Sequence, residues 1–325
     1  MWLALGSIAV GLALLVWSAD KFIDGATSIA MHLGVSTMII GITIVGFGTS
    51  APEILISIIA VIEDTPDIAI GNALGSNIAN IGLILGVTAL ITPLPIAKRV
   101  LRHEFPLLMI ATAVMTWCLF DGALDIIDGL LLIALLCLMM WYLVKSHRQH
   151  PGADWGESEL TGGDVEDMSL LIALGWALSG LIIMVGSSKL LVWGATEVAH
   201  AFGISELIIG LTIVALGTSL PELAASIASI KKGEPDLAIG NIVGSNLFNS
   251  LAVIGIPATI TSFNIDRLAV TRDLPVVIVI TLLLYGLSRF PAASQRLSRK
   301  KGFWLFASFV IYQLYLYYGV MTGTP

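Results

Sequence analysis

The chain has 325 residues, 57% of them apolar and only 12% charged, with a mean hydropathy of +0.94. A soluble domain carries about twice that charged fraction, so the composition is that of a polytopic membrane protein in contact with lipid along most of its length. A net charge of -7 with no arginine-rich face excludes a nucleic-acid surface. Cys118 and Cys137 both lie in apolar runs, which excludes a disulfide framework and counts against a Cys/His metal site.

A membrane helix needs about 20 mostly apolar residues. Applied along the chain, this predicts spans near 2–19, 37–62, 67–92, 104–121, 126–145, 168–196, 206–230, 236–262, 272–289 and 302–320, with 20–36 and 190–205 able to extend the first and sixth. The first span has no basic residue ahead of it and no small-residue cleavage site behind it, unlike a signal peptide. Asp20 and Asp24, near its inner end, read as solvated at the interface. Asp67 and Asp236 each follow a proline at a helix start and read as N-terminal caps. Residues 146–167 are polar and acidic (Asp154, Glu157, Glu159, Asp164, Glu166, Asp167) and read as a cytoplasmic linker; no EF-hand spacing is present. With the N-terminus outside, the inward segments hold Lys21, Lys98, Arg99, Arg102, Lys145, Arg148, Lys231, Lys232, Arg289, Arg296, Arg299, Lys300 and Lys301, against Arg267, Arg272 and Lys189 outside. That asymmetry places both termini away from the cytoplasm.

The chain also repeats itself. Residues 39–53 (IIGITIVGFGTSAPE) return as 208–222 (IIGLTIVALGTSLPE), and 66–80 (PDIAIGNALGSNIAN) as 235–249 (PDLAIGNIVGSNLFN). The offset is 169 for both pairs and holds to Pro106 and Pro275. Eleven and ten of fifteen positions match, where chance would supply about two in thirty. Each half, 1–145 and 168–325, holds five spans, an odd number, so the second copy sits upside down. The fold expected is all-α: ten transmembrane helices as two inverted five-helix repeats. That is the architecture of secondary transporters, with the site at the midplane between repeats.

Glu53 and Glu222 are the informative residues. Each lies nine or ten positions before a charged residue at the interface, Glu63 and Lys231. At 1.5 Å per residue that is roughly 14–15 Å, half of a ~30 Å hydrocarbon core. A charge at that depth is disfavoured by roughly 2.5–3.5 kcal/mol and calls for a cation or proton. Thr49, Ser50 and Glu53 crowd one helical surface, as do Thr218, Ser219 and Glu222. Ser76 and Asn80, and Ser245 and Asn249, are four apart on the next helix of each half. This all-oxygen set suits hard cations such as Ca²⁺ or Na⁺. Pro52 and Pro221 free the carbonyls of Gly48 and Gly217 and should break the helix in both halves; Gly46, Gly48 and Gly217 make that backbone approachable. Gly71, Gly75, Gly240 and Gly244 read first as helix-packing positions. Asn72, Asn77, Asn241 and Asn246 suit interhelical hydrogen bonds at least as well as ion contact.

At GTSAPE (48–53) with GSNIAN (75–80), and GTSLPE (217–222) with GSNLFN (244–249), the sequence resembles the cation/calcium exchanger superfamily in its sodium/calcium-exchanger branch. Its compact length is similar to that of prokaryotic members. The resemblance implies a central calcium site from Thr49, Glu53, Thr218 and Glu222. Flanking sodium sites would involve Ser50, Ser76, Ser219 and Ser245 with the carbonyls of Gly46 and Ala215, and Asn80 and Asn249 would line the centre. Potassium-dependent relatives carry Asp where this chain has Asn249, which counts against potassium coupling. Proton-coupled members have a different motif at the glutamate, which favours Na⁺. The expectation is Ca²⁺/Na⁺ antiport by alternating access in a prokaryotic plasma membrane. The transported ions are Ca²⁺ and Na⁺, with no cofactor, no catalytic residue and no obligate protein partner called for. Ca²⁺/H⁺ antiport is the alternative within exchange; a calcium channel and an intramembrane hydrolase with paired carboxylates are the rivals outside it.

Overall fold

The computed structural model describes residues 1–149, 168–202, 215–290 and 296–322. The helices, in chain order, are α1 (Trp2–Leu33), α2 (Thr37–Ile62), α3 (Pro66–Ile91), α4 (Glu104–Leu119), α5 (Ile126–Gln149), α6 (Leu170–Ala201), α7 (Leu220–Lys231), α8 (Pro235–Ile260), α9 (Ala269–Arg289) and α10 (Arg299–Thr322). Among the described residues, seven are long and apolar enough to cross a membrane. The other three are α4, with 16 residues, the described part of α7, with 12, and α10, which opens on Arg299, Lys300 and Lys301. The acidic residues expected in the linker lie outside the described residues, and α5 continues as helix through 146–149.

Helices α1 and α6 are longer than the spans expected at 2–19 and 168–196: each has 32 residues. The reason is visible beyond Asp20. Phe22, Ile23, Ala26, Ile29 and Ala30 continue the buried face of α1 past its charged turn. The helix stops at Gly34, whose φ of 62° only glycine adopts without strain, and its N–H closes onto Ala30 O and Met31 O. At ~1.5 Å per residue either helix is close to 48 Å, longer than the hydrocarbon core, so each tilts or emerges from it.

Helices α8 and α3 form the centre. The most apolar stretch of α8 is 100% buried and that of α3 72%, against 28–33% for α1, α5, α6 and α9. The peripheral helices turn residues such as Trp2, Trp117, Ile127 and Leu171 outward, the apolar face that lipid covers. Close crossings depend on glycine. A Cβ at Gly244 would lie 2.3 Å from the carbonyl oxygen of Ile42, and one at Gly240 2.6 Å from that of Met38, so α8 packs backbone to backbone on α2. The expected packing role is observed at both, but not at Gly71 and Gly75, where an added Cβ would meet nothing within 4 Å. In α1 and α6, Gly25 meets Ala177 and Gly194 meets Ala4 in the same way, making the two long helices one tightly crossed pair.

Two short ribbons tie the halves together. Leu94–Pro95 pairs antiparallel with Arg296–Leu297, and Ala123–Leu124 with Phe263–Asn264. Each joins a loop of the first half to a loop of the second, and the connectivity puts one ribbon at each end of the bundle. Asp67 and Asp236 do not cap as expected. They sit in the first turns of α3 and α8 without a capping hydrogen bond. Asp67 instead accepts from the backbone N–H of Asp266 at 2.9 Å, anchoring the loop before α9.

The crossing of α2 and α8 is directly testable. Gly244→Ala should lower the unfolding temperature in detergent by several degrees, since overpacking typically costs about 1–3 kcal/mol. Gly6→Ala, with nothing within 4 Å, should leave it unchanged or slightly raised. Equal melting of the two variants would remove the case for a glycine-dependent crossing.

Candidate functional site: a buried oxygen shell between the repeats

The two glutamate motifs do not fold alike. In the first half, α2 passes through Pro52 as continuous helix, after a π-helical turn at Gly41–Val45. In the second, a short turn at Ala215–Gly217 ends in a bend at Thr218 and Ser219. Helix α7 then starts afresh at Leu220, with Pro221 and Glu222 in its first turn. The break expected in both halves is thus present only in the second. A local partner accompanies the difference: the Ser188 hydroxyl of α6 donates to Gly217 O at 2.7 Å, satisfying the carbonyl that Pro221 leaves without an amide. The equivalent position in α1 is Ala19, which has no hydroxyl to offer. The break also sets Glu222 at a helix N-terminus, where the peptide dipoles favour a negative charge.

Both carboxylates are buried at the centre, each 1% exposed. Glu222 lies within electrostatic reach of Glu53 and beside the Thr49 hydroxyl of the opposite half. The Thr49 hydroxyl is also 3.1 Å from Asn241 Oδ1 and 3.2 Å from Ser245 Oγ, and both Thr49 and Ser245 reach Gly46 O at 3.5 Å. Ser50, Ser76, Asn80, Ser219, Ser245 and Asn249 are all buried; Thr218 is partly so, and only the backbone of Ala215 is described. Asn80 stands in the π-helical stretch Ala79–Leu85 of α3, which packs on α7, and Asn249 opens the stretch Asn249–Val253 of α8, which packs on α2. Each amide-bearing segment therefore lies against the glutamate helix of the other half. π-Helical turns inside helices are frequent at functional sites.

A matched pair of brackets holds the glutamate helices. Asn72 Nδ2 donates to Glu53 O at 3.1 Å and to Ser57 Oγ at 3.2 Å; Asn241 Nδ2 donates to Glu222 O at 3.3 Å and to Ser226 Oγ at 3.1 Å. Asn77 and Asn246 likewise bond to backbone, at Ala73 O and Ile242 O. Asn72, Asn77 and Asn241 thus bond across helices as expected, whereas Asn246 donates only within its own helix and its Oδ1 is buried without a partner. Ser57, Ser226 and Ser188 are participants that the motifs do not mark. The first two were detectable, because both lie four residues past a motif glutamate at the repeat offset of 169.

Much of the polar surface at the centre has no protein partner. Ser50 Oγ, both carboxylate oxygens of Glu53, Glu222 Oε2, and the amide oxygen and nitrogen of Asn80 and of Asn249 are buried without a hydrogen-bond partner. Buried polar groups in proteins are almost always paired, and an unpaired buried carboxylate is strongly disfavoured. Other unpaired oxygens are scattered singly over Thr27, Ser28, Asn246 and Ser288, whereas these five residues, drawn from both repeats, bring together two carboxyl groups, a hydroxyl and two amides. A hard cation with several oxygen ligands fits that chemistry. Among the described residues, no group of three or more His, Cys, Asp and Glu could hold a metal. The shell is therefore two carboxylates supplemented by neutral oxygens.

Comparison with known proteins gives the family. The family described as sodium/calcium exchanger protein matches residues 3–145 and 172–318. The chain belongs to the sodium/calcium exchanger family. The exchanger is 44% identical over 310 residues to CaxA of Alkalimonas amylolytica, covering 95% of this chain and 97% of that one. It is 43% identical over 285 residues to the inner membrane protein YrbG of Escherichia coli, covering 87% and 88%. Its structure resembles that of the sodium-calcium exchanger NCX_Mj soaked with Na⁺ and Ca²⁺, with a TM-score of 0.80 and 31% identity over 95% of this chain and 97% of that one. The ten-helix inverted repeat read from the sequence is the fold of this family.

The exchanger's inter-repeat contact at Thr49 predicts a measurable asymmetry. Thr49→Val removes the hydroxyl that donates to Asn241 and stands beside Glu222, and a lost buried hydrogen bond typically costs about 1–3 kcal/mol. It should weaken ⁴⁵Ca²⁺ binding about tenfold or more, whereas Thr49→Ser, which keeps the hydroxyl, should stay within about threefold of wild type. Equal loss in the two variants would show that bulk, not the hydroxyl, matters at this position.

Proposed function

We propose that this exchanger carries Ca²⁺ in one direction and Na⁺ in the other, by alternating access, through a site built on Glu53 and Glu222. The observation that carries the reading is the set of unpaired, buried oxygens on Ser50, Glu53, Glu222, Asn80 and Asn249, contributed by both repeats. One Ca²⁺ neutralises the two carboxylates, with Thr49 and Thr218 beside them. Na⁺ ions compete for overlapping oxygens, using Ser50, Ser76, Ser219 and Ser245 with the carbonyls of Gly46 and Ala215. The same two charges explain exchange without leak. A site with two bare carboxylates is held facing one side by the penalty for passing them through apolar surroundings, and it reorients once cations have neutralised it. The crossed pair α1 and α6 packs on the surface of the central helices and is the element placed to move.

The family is one of transporters, so catalysis is not part of the reading. Inorganic cations and membrane lipid are the partners it needs. The excess of Lys and Arg on one set of loops, thirteen against three, places those loops in the cytoplasm and both termini on the opposite face of a prokaryotic plasma membrane.

In sodium-loaded proteoliposomes, an outward Na⁺ gradient should drive ⁴⁵Ca²⁺ uptake, and a pH gradient of equal size should not. Glu53→Gln and Glu222→Gln should each abolish the uptake. Calcium should also raise the melting temperature of the wild type, because ~100-fold excess over the dissociation constant adds about 2.7 kcal/mol, and should leave that of either variant unmoved. Uptake driven by protons alone would replace sodium as the counter-ion. Full uptake by either variant would displace the site.

A further inference from the structure

The offset of 169 runs without a gap through the first helix of each half. Gly6 and Gly175, Gly11 and Gly180, Ser18 and Ser187, Gly25 and Gly194, and Thr27 and Thr196 are all matched identities. It also runs through the turns after α2 and α7, where Asp64 and Gly233 share a left-handed backbone with φ of 59° and 76°. In this frame Asp20 of α1 corresponds to Lys189 of α6, and Lys232 after α7 corresponds to Glu63 after α2. The charge is reversed at both positions, so each end of the molecule carries one acid and one base, one on the long helix and one on the core.

Only one of the two combinations is joined. Lys232 Nζ lies 2.8 Å from Asp20 Oδ1 and 2.7 Å from Asp24 Oδ1, pinning α1 to the end of α7. Asp24 is also 3.4 Å from Lys21. Burial opposes the charge on Lys232, but the hydrogen bonds from Asp20 and Asp24 outweigh it and its pKa is raised. At the other end Lys189 and Glu63 are both exposed, and no ion pair joins them. Packing follows the same division. Ala19, Phe22, Ile23 and Ala26 of α1 are buried in one cluster with Ala225, Ala228 and Leu237. Of their counterparts near the outer end of α6, Ser188 is buried, but Leu191, Val192 and Ala195 are only half-buried. One end of the long-helix pair is closed on the core, and the other is loose.

We propose that Asp20–Lys232 and Lys189–Glu63 are alternating electrostatic latches: the first holds the long-helix pair shut on the core at one membrane face, and the second closes at the other face when the first opens. The proposal rests on the alternating-access reading above. In an inverted repeat, rocking of one bundle against the other exchanges the environments of the two halves, so the contact made by Asp20 and Lys232 in this state falls to Lys189 and Glu63 in the opposite one. Reversing both charges at once keeps the attraction.

The test uses the full-length chain in membranes, with Cys118→Ala and Cys137→Ala as background and Asp20→Cys, Lys232→Cys, Glu63→Cys and Lys189→Cys together. A short bifunctional thiol reagent should bridge 20 to 232 or 63 to 189, and intact-mass analysis should find either bridge but never both in one molecule. Both bridges in the same molecule, or a 63–189 bridge that never forms while 20–232 does, would overturn the proposal. Independently, Lys189→Glu should slow exchange about two- to fivefold, the scale of a partly exposed ion pair, and adding Glu63→Lys should restore it. A double variant no faster than the single one would also overturn it. Bridging needs no transport, so a chain that moved different ions would fail the uptake experiment and still show exclusive bridges.

Discussion

Two carboxylates from opposite halves of the chain share one buried centre, and the rest of the molecule is arranged around that fact. Like charges in a medium of low polarity repel, and neither can be left bare. The pair is therefore tolerable only with cations between its members or with the surrounding protein holding it against relaxation. The structure does the second with brackets of matching geometry, in which Asn72 and Asn241 each grip the glutamate carbonyl and a serine one turn further on. Those bonds fix the backbone and leave both carboxyl oxygens of Glu53 and Oε2 of Glu222 uncommitted. Had the amides bonded the carboxylates themselves, the site would be satisfied internally and would have little affinity left for an ion.

The same economy of contacts appears in the helix crossings. A site shared between α2, α3, α7 and α8 requires their backbones to approach more closely than ordinary side chains allow. Gly240 and Gly244 of α8 lie against the carbonyls of Met38 and Ile42, and Gly46 of α2 approaches Gly244 and Ser245 in return. Without a hydrophobic drive between helices in lipid, close packing of this kind is what holds them together. It also lets Thr49 and Ser245, on different halves, stand 3.2 Å apart. Stability and ligand geometry therefore depend on the same small residues, and glycine in these motifs serves both.

Much of this was legible in the sequence because duplication writes each feature twice. The ten spans, the inversion, the burial of Glu53 and Glu222 and their oxygen-only surroundings all follow from apolar run length, an odd helix count and residue type. What escaped is the part that depends on hydrogen-bond geometry. Whether a proline breaks its helix depends on who takes the freed carbonyl, and the partner of Gly217, Ser188, lies 29 residues away on another helix. The π-helical turns at Asn80 and Asn249 have no compositional signature, whereas the lengths of α1 and α6 match the extensions that 20–36 and 190–205 allowed. Asp20 and Asp24 read as solvated because their partner, Lys232, is 212 and 208 positions away along the chain.

The departures from symmetry carry information of their own. Two identical halves would give both faces of the membrane the same structure, and nothing would distinguish one facing state from the other except the ions present. This chain keeps its repeats alike at the donor residues and lets them diverge around those residues. Ser188 faces Ala19 across the pseudo-symmetry, and a hydroxyl there goes with a broken helix where its absence goes with a continuous one. Asn77 bonds to Ser250, whose counterpart is Ile81 and has nothing to donate or accept. Each such difference leaves the central oxygens in place and sets the local structure of one half apart from that of the other. An exchanger needs a symmetric site so that the ion is held similarly from either side, and an asymmetric frame so that the two states differ in energy in a controlled way. Selection acting on the second requirement would leave its mark at positions like 19 and 188 or 81 and 250, and would leave Glu53 and Glu222 untouched.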